Sequence, residues 1–310
     1  MSAPTESASA LELPGRVVWF GNQPVLEWRR LDLADALGPR FYESALKAPV
    51  VRIQALDTIP EEGLERVAGL ILHAWRCGST LLCALFNTAP RTVALSEPSC
   101  FSDLLVGIEQ EPALAAARIR KLAACFGHAL AGVADRVVIK LPGLLAQHAE
   151  EIEDALPEVP VIFLHREAGA VVQSLLREPI GNLSAAPARY RGSMPASAAP
   201  ESLLFTASII AENTRAIAKT RRVHCCDYRH LPALTWQGIA GHFGLALSEA
   251  DCQRMAEAAQ WHSKFRPGVR RFTGDAAVDP VPGAEQAVAV IASALHYLEE
   301  AGPLVIEGVE

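Results

Sequence analysis

The sequence predicts an α/β chain in three layers, with helices on both faces of a central, mainly parallel sheet of five strands. Three observations predict it. Short, nearly unbroken apolar runs recur at 67–74, 92–95, 136–140, 160–165 and 223–226, the pattern of strands buried on both faces. Between them lie longer segments whose apolar residues fall at helical spacing, which calls for right-handed crossovers between parallel strands. The polar and charged residues that interrupt the pattern sit where the apolar runs end, the edge at which open α/β sheets gather ligands.

Composition narrows the class. A chain of 310 residues, half of them apolar, can bury a large core. The first residues, MSAPTESASA, lack the charged and apolar blocks of a signal peptide, and no apolar run reaches the ~18 residues of a membrane span. The expectation is a cytoplasmic protein with no membrane partner. The seven cysteines are scattered and mostly set in apolar segments, so they read as buried thiols without zinc-ligand spacing, and no metal is expected. A formal charge of −7 argues against a broad nucleic-acid surface but permits a small anion held by local cations.

In chain order, residues 1–14 read as a disordered tail and residues 15–60 as an appendage packed on the core. The appendage carries two extended pieces, VVWF and VLEW, about a turn at Gly21 to Pro24, then a weakly helical stretch from Leu31 to Lys47 with Phe41 and Tyr42 facing the core. Residues 61–310 form the main domain. Its first strand, Val67 to Ala74, runs into Arg76, Cys77, Gly78, Ser79 and Thr80, after which Leu81, Leu82, Leu85 and Phe86 take helical spacing, with Ser79 or Thr80 placed to cap the first turn. Unpaired N–H groups at the positive end of a helix, an adjacent arginine and a glycine that permits close approach make this loop an anion site.

The strand Thr92 to Leu95 is broken by Ser96, Glu97 and Pro98. An alanine-rich helix follows over Glu111 to Ala131, with Pro112 in its first turn. Strand Arg136 to Lys140 stops at Pro142 and leads to a helix over Leu144 to Leu156. Strand Pro160 to His165 hands over at Arg166 to a helix through Ser174 and Leu175. The stretch from Gly181 to Pro200 has no periodicity and reads as a lid or substrate loop. A helix over Glu201 to Lys219 returns to strand Val223 to Cys226, followed by helices over Trp236 to Phe243 and Ser248 to Trp261, a basic loop HSKFRPGVRRFTGD, and a helix over Gln286 to Ala301.

Three segments carry the chemistry: Arg76 to Thr80, Lys140 at a strand end, and Arg166 followed eight residues later by Ser174. Guanidinium can grip a phosphate through two bonds, and about two helical turns bring a hydroxyl to the same anion. Together these segments resemble the sulfotransferase family, which moves a sulfuryl group from 3′-phosphoadenosine 5′-phosphosulfate on a P-loop-like α/β fold. The resemblance spans roughly residues 66–275 and includes VVIKLP and the late VHCCDYRHLP followed by HFGL.

The resemblance implies that Arg76, Cys77, Gly78, Ser79, Thr80 and Leu81 hold the 5′-phosphosulfate. It implies that Arg166 and Ser174 hold the 3′-phosphate, and that Lys264, Arg266, Gly268 and Arg270 close over the nucleotide. The donor is then 3′-phosphoadenosine 5′-phosphosulfate, the product 3′-phosphoadenosine 5′-phosphate, and the acceptor a hydroxyl or amine of a small molecule, peptide or carbohydrate, with no metal. Trp75 and Cys77 replace the usual proline and serine of the loop, and Pro142 stands where many cytosolic members carry a histidine base. The candidate base is Glu97, since the segment Ser96 to Pro98 ends the strand after the anion loop and the resemblance extends to family branches with a glutamate near that position, with Arg76 and Lys140 meeting charge on the bridging oxygen.

Other readings of the same residues follow different chemistry. A cysteine phosphatase would need an arginine six positions after Cys77, where Cys83 stands, and a P-loop kinase would need the absent glycine–lysine pair. A non-catalytic nucleotide-binding or interaction protein of the same fold draws support from Pro142. His73, His165 and His224 read as core residues in strands, and His262 as a residue lining the site or on the surface.

Overall fold

Val67–His73 is buried along its whole length, and its neighbours explain why. In the computed structural model this strand, β4, lies between two other buried strands of a six-stranded parallel sheet. The structure describes residues 10–38, 45, 47–108, 112–178, 203–261, 263, 270–272, 279 and 281–307.

Among the described residues the strands form two sheets. The first holds β1 (Leu11–Phe20), β2 (Gln23–Leu31) and β3 (Val50–Ala55), all antiparallel and in that order. The second adds β5 (Thr92–Ser96), β6 (Arg136–Lys140), β7 (Val161–His165), β8 (His224–Asp227) and β9 (Leu304–Val305), in the order β5-β6-β4-β7-β8-β9. The α/β class and the parallel sheet follow the expectation. The sheet has six strands rather than five, because Leu304–Val305 pairs with His224 and Cys225 at the edge. Two exposed residues give no apolar run, so nothing local marks them.

Among the described residues the helices longer than one turn are α1 (Ser79–Phe86), α2 (Ser99–Ile108), α3 (Pro112–Ala129), α4 (Ala149–Ala155), α5 (Ala168–Arg177), α6 (Leu203–Ile217), α7 (Glu249–Ala258) and α8 (Ala284–Glu300). Alternate residues of the strands face opposite sides, as a period of two requires. Leu70, Leu72, Val137, Ile139 and Phe163 join one core cluster, and Ile71, Val138, Ile162, Leu164 and Cys226 the other. Both faces are thus covered, which is why the strands read as continuous apolar runs.

Several boundaries differ from expectation for local reasons. Residues 11–14 belong to β1 rather than to a tail, since Leu13 is fully buried and Leu11 pairs with Leu31. The weak helix near 31–47 is a single turn over Leu33–Ala36, capped by Asp32, and Phe41 and Tyr42 lie outside the described residues. The segment after Pro142 is a 3₁₀ stretch, Gly143–His148, before α4, and Thr235–Ile239 is a π-helical turn before Ala240–His242. Helix α2, which follows Pro98, has no counterpart in the sequence reading. Ser248 closes a capping box with Asp251 at the start of α7.

The N-terminal sheet docks onto α2 and α3 through polar anchors. Arg16 binds Asp103 with Nε to Oδ2 at 2.6 Å, the Trp19 indole N–H donates to the Asp103 carbonyl at 3.0 Å, and buried Arg118 grips Asp57. Among the described residues no helix is long and apolar enough to cross a membrane.

Candidate functional site

The site begins where β4 ends. Trp75 and Arg76 both take φ of 50°, and Gly78 takes 84°, so three of four consecutive residues are left-handed. For the two non-glycine residues this costs on the order of 1 kcal/mol each, and neighbouring contacts must hold it. The Trp75 indole does so by packing on Gly143: a Cβ added there would stand 1.9 Å from the indole nitrogen. The Trp75 N–H also donates to His73 Nδ1 at 3.3 Å.

Helix α1 is capped by Gly78 itself, which has no side chain to accept from the first turn, and the buried Cys77 sulfur lies against the backbone donors there. The expected cap by Ser79 or Thr80 is not formed. Ser79 is buried, and Thr80 turns its hydroxyl toward Lys140 instead, with Nζ to Oγ1 at 3.4 Å. A helix start left open in this way carries partial positive charge. Leu81 is half-buried beside it. Cys77 is fully buried, and burial pushes its thiol up to about 11 despite the nearby backbone donors and the Lys140 cation. It is a neutral packing group, unsuited to nucleophilic attack.

Lys140 ends β6 beneath this loop and is 2% exposed. Its Nζ lies 2.5 Å from Glu97 Oε1 and 3.3 Å from Ser96 Oγ. Glu97 owes its place to backbone strain: its φ is 57°, and its N–H donates to the Lys140 carbonyl at 2.8 Å, folding the chain back over the end of β6. Burial pushes the Glu97 carboxyl up, but Lys140 and His73 outweigh it and hold the group well below the usual carboxylate range. For Lys140 burial pulls downward, and the Glu97 carboxylate outweighs it to keep the ammonium above its ordinary value. Both groups are therefore charged at neutral pH.

His73, in β4, completes the cluster. Because Nδ1 accepts from Trp75, the ring proton sits on Nε2, which faces the Leu141 carbonyl at 3.1 Å and Glu97 Oε1 at 3.5 Å. Burial holds the imidazole below its ordinary value, so it is neutral.

Across the loop, Arg76 is 15% exposed and turned toward α5. Its Nε donates to Ser174 Oγ at 3.0 Å, and its Nη2 to the Ser174 carbonyl at 3.1 Å and to Glu178 Oε2 at 2.8 Å. The structure thus joins Arg76 to Ser174, residues read from sequence as parts of two separate subsites. Arg166 stacks its guanidinium on Tyr228, 4.2 Å from the ring centroid. Arg270 is exposed beside the bridge between Trp261 and Arg271, while Lys264, Arg266, Gly268, His262 and the stretch 181–200 lie outside the described residues.

Sequence reasoning passed over Tyr228 and Glu178; it read His73 as a hydrogen-bonded core residue of a strand, which it is, and missed its contact with Glu97. Tyr228 obeys the same rule that selected Arg166, standing one residue past a strand, and that signal could have found it. Nothing local marks Glu178. Among the described residues no group of three or more His, Cys, Asp and Glu side chains could hold a metal ion.

Fold and site together define an α/β protein with a strand, a left-handed loop and an open helix start, backed by buried Lys140 paired with partly exposed Glu97. No protein-family model matches the chain. No curated protein matches it either. Among solved structures it is similar to a sulfotransferase from Alicyclobacillus acidocaldarius, at 15% identity and a TM-score of 0.38, covering 76% of this chain and 95% of that one.

Proposed function

We propose that this chain is a sulfotransferase that moves a sulfuryl group from 3′-phosphoadenosine 5′-phosphosulfate to a hydroxyl or amine of a small acceptor. The observation that carries the reading is the Lys140–Glu97 pair set beside Thr80 at the open start of α1. It puts an anion cradle, a cation and a base within one side-chain length of each other.

The residues fit the nucleotide on their own chemistry. The cap position is a glycine, and the Tyr228 ring packs where its Cβ would stand, so that ring forms one wall of the loop. The first-turn N–H groups, Thr80 and Lys140 suit the 5′-phosphosulfate, with Arg76 at the margin of the loop. Arg166 and Ser174 suit the 3′-phosphate. When bound, the nucleotide supplies an activated sulfuryl group, and the protein supplies position and charge.

Glu97 accepts the proton of the acceptor hydroxyl. In taking it, Glu97 loses its negative charge, and Lys140 is left with an uncompensated positive charge beside Thr80. That cation then stabilises negative charge developing in the loop. Base and electrostatic donor are thus coupled through one ion pair, and neither needs to move far.

Calorimetric titration with 3′-phosphoadenosine 5′-phosphate tests the reading. Binding that depends on Lys140 and Thr80 is expected, followed by sulfuryl transfer across a panel of hydroxyl and amine acceptors. Absence of binding would remove the reading, and binding without transfer to any acceptor would favour a nucleotide-binding protein.

A further inference from the structure

Arg166 stands directly beyond β7, and Tyr228 directly beyond β8. The last paired rung of these two strands joins His165 to Asp227, so Arg166 and Tyr228 occupy the next positions at the same sheet edge. The backbone around Tyr228 is pinned: the Asp227 carboxylate accepts the Arg229 N–H at 2.8 Å, and the Leu231 N–H donates to the Tyr228 carbonyl at 2.9 Å. From this fixed root the side chain reaches two elements. Its Cε2 and Cδ2 lie 2.5 and 2.6 Å from where a Cβ on Gly78 would stand, so the ring rests against the cap of α1. Over that ring, 4.2 Å from its centroid, lies Arg166 Cζ.

A guanidinium stacked on an aromatic ring is attracted by the π face and held flat. Its N–H donors then point outward in its own plane, the arrangement that grips a phosphate through two parallel bonds. Gly78 and Arg166 belong to the two halves of the nucleotide site, and Tyr228 touches both.

We propose that Tyr228 is the positioning residue of the second phosphate subsite: it holds the Arg166 fork at a fixed distance from Gly78. It thereby sets the preference for nucleotides that carry a 3′-phosphate besides their 5′ group. This rests on the nucleotide reading above.

The test is a calorimetric comparison of 3′-phosphoadenosine 5′-phosphate with adenosine 5′-phosphate, which lacks the 3′ group. Tyr228→Phe keeps the π face and is expected to keep the wild-type preference for the 3′-phosphate within about twofold. Tyr228→Leu removes the stack and is expected to cut that preference by about tenfold. In an Arg166→Ala background the leucine substitution should cost nothing further, because the group it positions is gone.

Tyr228→Met fills the same space with a flexible apolar chain and supplies the comparison should the leucine variant fail to fold. A preference unchanged in both the leucine and methionine variants overturns the role of Tyr228 while leaving the nucleotide reading intact. A wild-type protein that binds both nucleotides equally overturns both.

Discussion

Lys140 Nζ and Glu97 Oε1 lie 2.5 Å apart at the ends of adjacent parallel strands, with the lysine buried and the glutamate 30% exposed. A buried charge is tolerated only when paired, and removing one partner leaves the other uncompensated. Lys140→Met and Glu97→Gln are each expected to lower stability by roughly 1–3 kcal/mol, less than for a fully buried pair because Glu97 meets solvent. The double variant should recover part of the loss. Urea unfolding of the four proteins measures it, and additive losses would mean that the two side chains are not coupled.

Turnover should separate from binding at Glu97. Glu97→Gln removes the proton acceptor while leaving the Lys140 cation unopposed, so 3′-phosphoadenosine 5′-phosphate should bind as well or better. Sulfuryl transfer to a responsive acceptor should fall by about 10²- to 10⁴-fold. An unchanged rate would assign the base elsewhere.

The same pair sets a pH window. Glu97 is held below its ordinary value of 4.5, so the unfolded chain binds more protons as pH falls past that value. Its contribution is full above 4.5 and is lost progressively toward the lower folded value. Lys140 is held above its ordinary 10.5, so its contribution is full below that pH and is lost as pH rises through the higher folded value. Thermal melts of wild type and Glu97→Gln should therefore differ most between these limits, and converge as the pH is lowered well below 4.5. Parallel curves across the acid range would show that Glu97 is not shifted.

Arg166→Ala removes the guanidinium stacked on Tyr228. Nucleotides bearing a 3′-phosphate should lose about tenfold or more in affinity, as expected for a charge-assisted pair, while those lacking it lose little. Equal losses for both, measured side by side, would place the 3′-phosphate elsewhere.

Gly143→Ala tests what holds the loop. The new Cβ would stand 1.9 Å from the Trp75 indole nitrogen, so the indole must move and the strained Trp75–Arg76 backbone loses its support. A stability loss of about 1–3 kcal/mol and weaker nucleotide binding are expected. Full affinity in a folded variant would show that the loop shape does not depend on Trp75.

Much of this molecule was legible residue by residue. The run Val67–His73 and the helix Ser79–Phe86 are written in local periodicity, as are Arg136–Lys140 and Val161–His165. Their strand ends delivered Lys140 and Arg166 to the same sheet edge, because parallel strands present their C-terminal ends together. The spacing of Arg166 and Ser174 was equally plain.

Contacts between distant segments were not legible. Arg76 reaches Ser174 across 98 residues of sequence, and Tyr228 fills the space over Gly78. Glu97 meets Lys140 only because its backbone takes a left-handed turn. The edge strand Leu304–Val305 exists through its pairing with β8 and shows no pattern of its own. By itself the sequence determined which segments form strands and helices and which charged groups stand at their ends, since apolar spacing and backbone preference act over a few residues. Only the tertiary structure decided which of those groups become partners, because pairing depends on packing that brings distant side chains within a few ångströms.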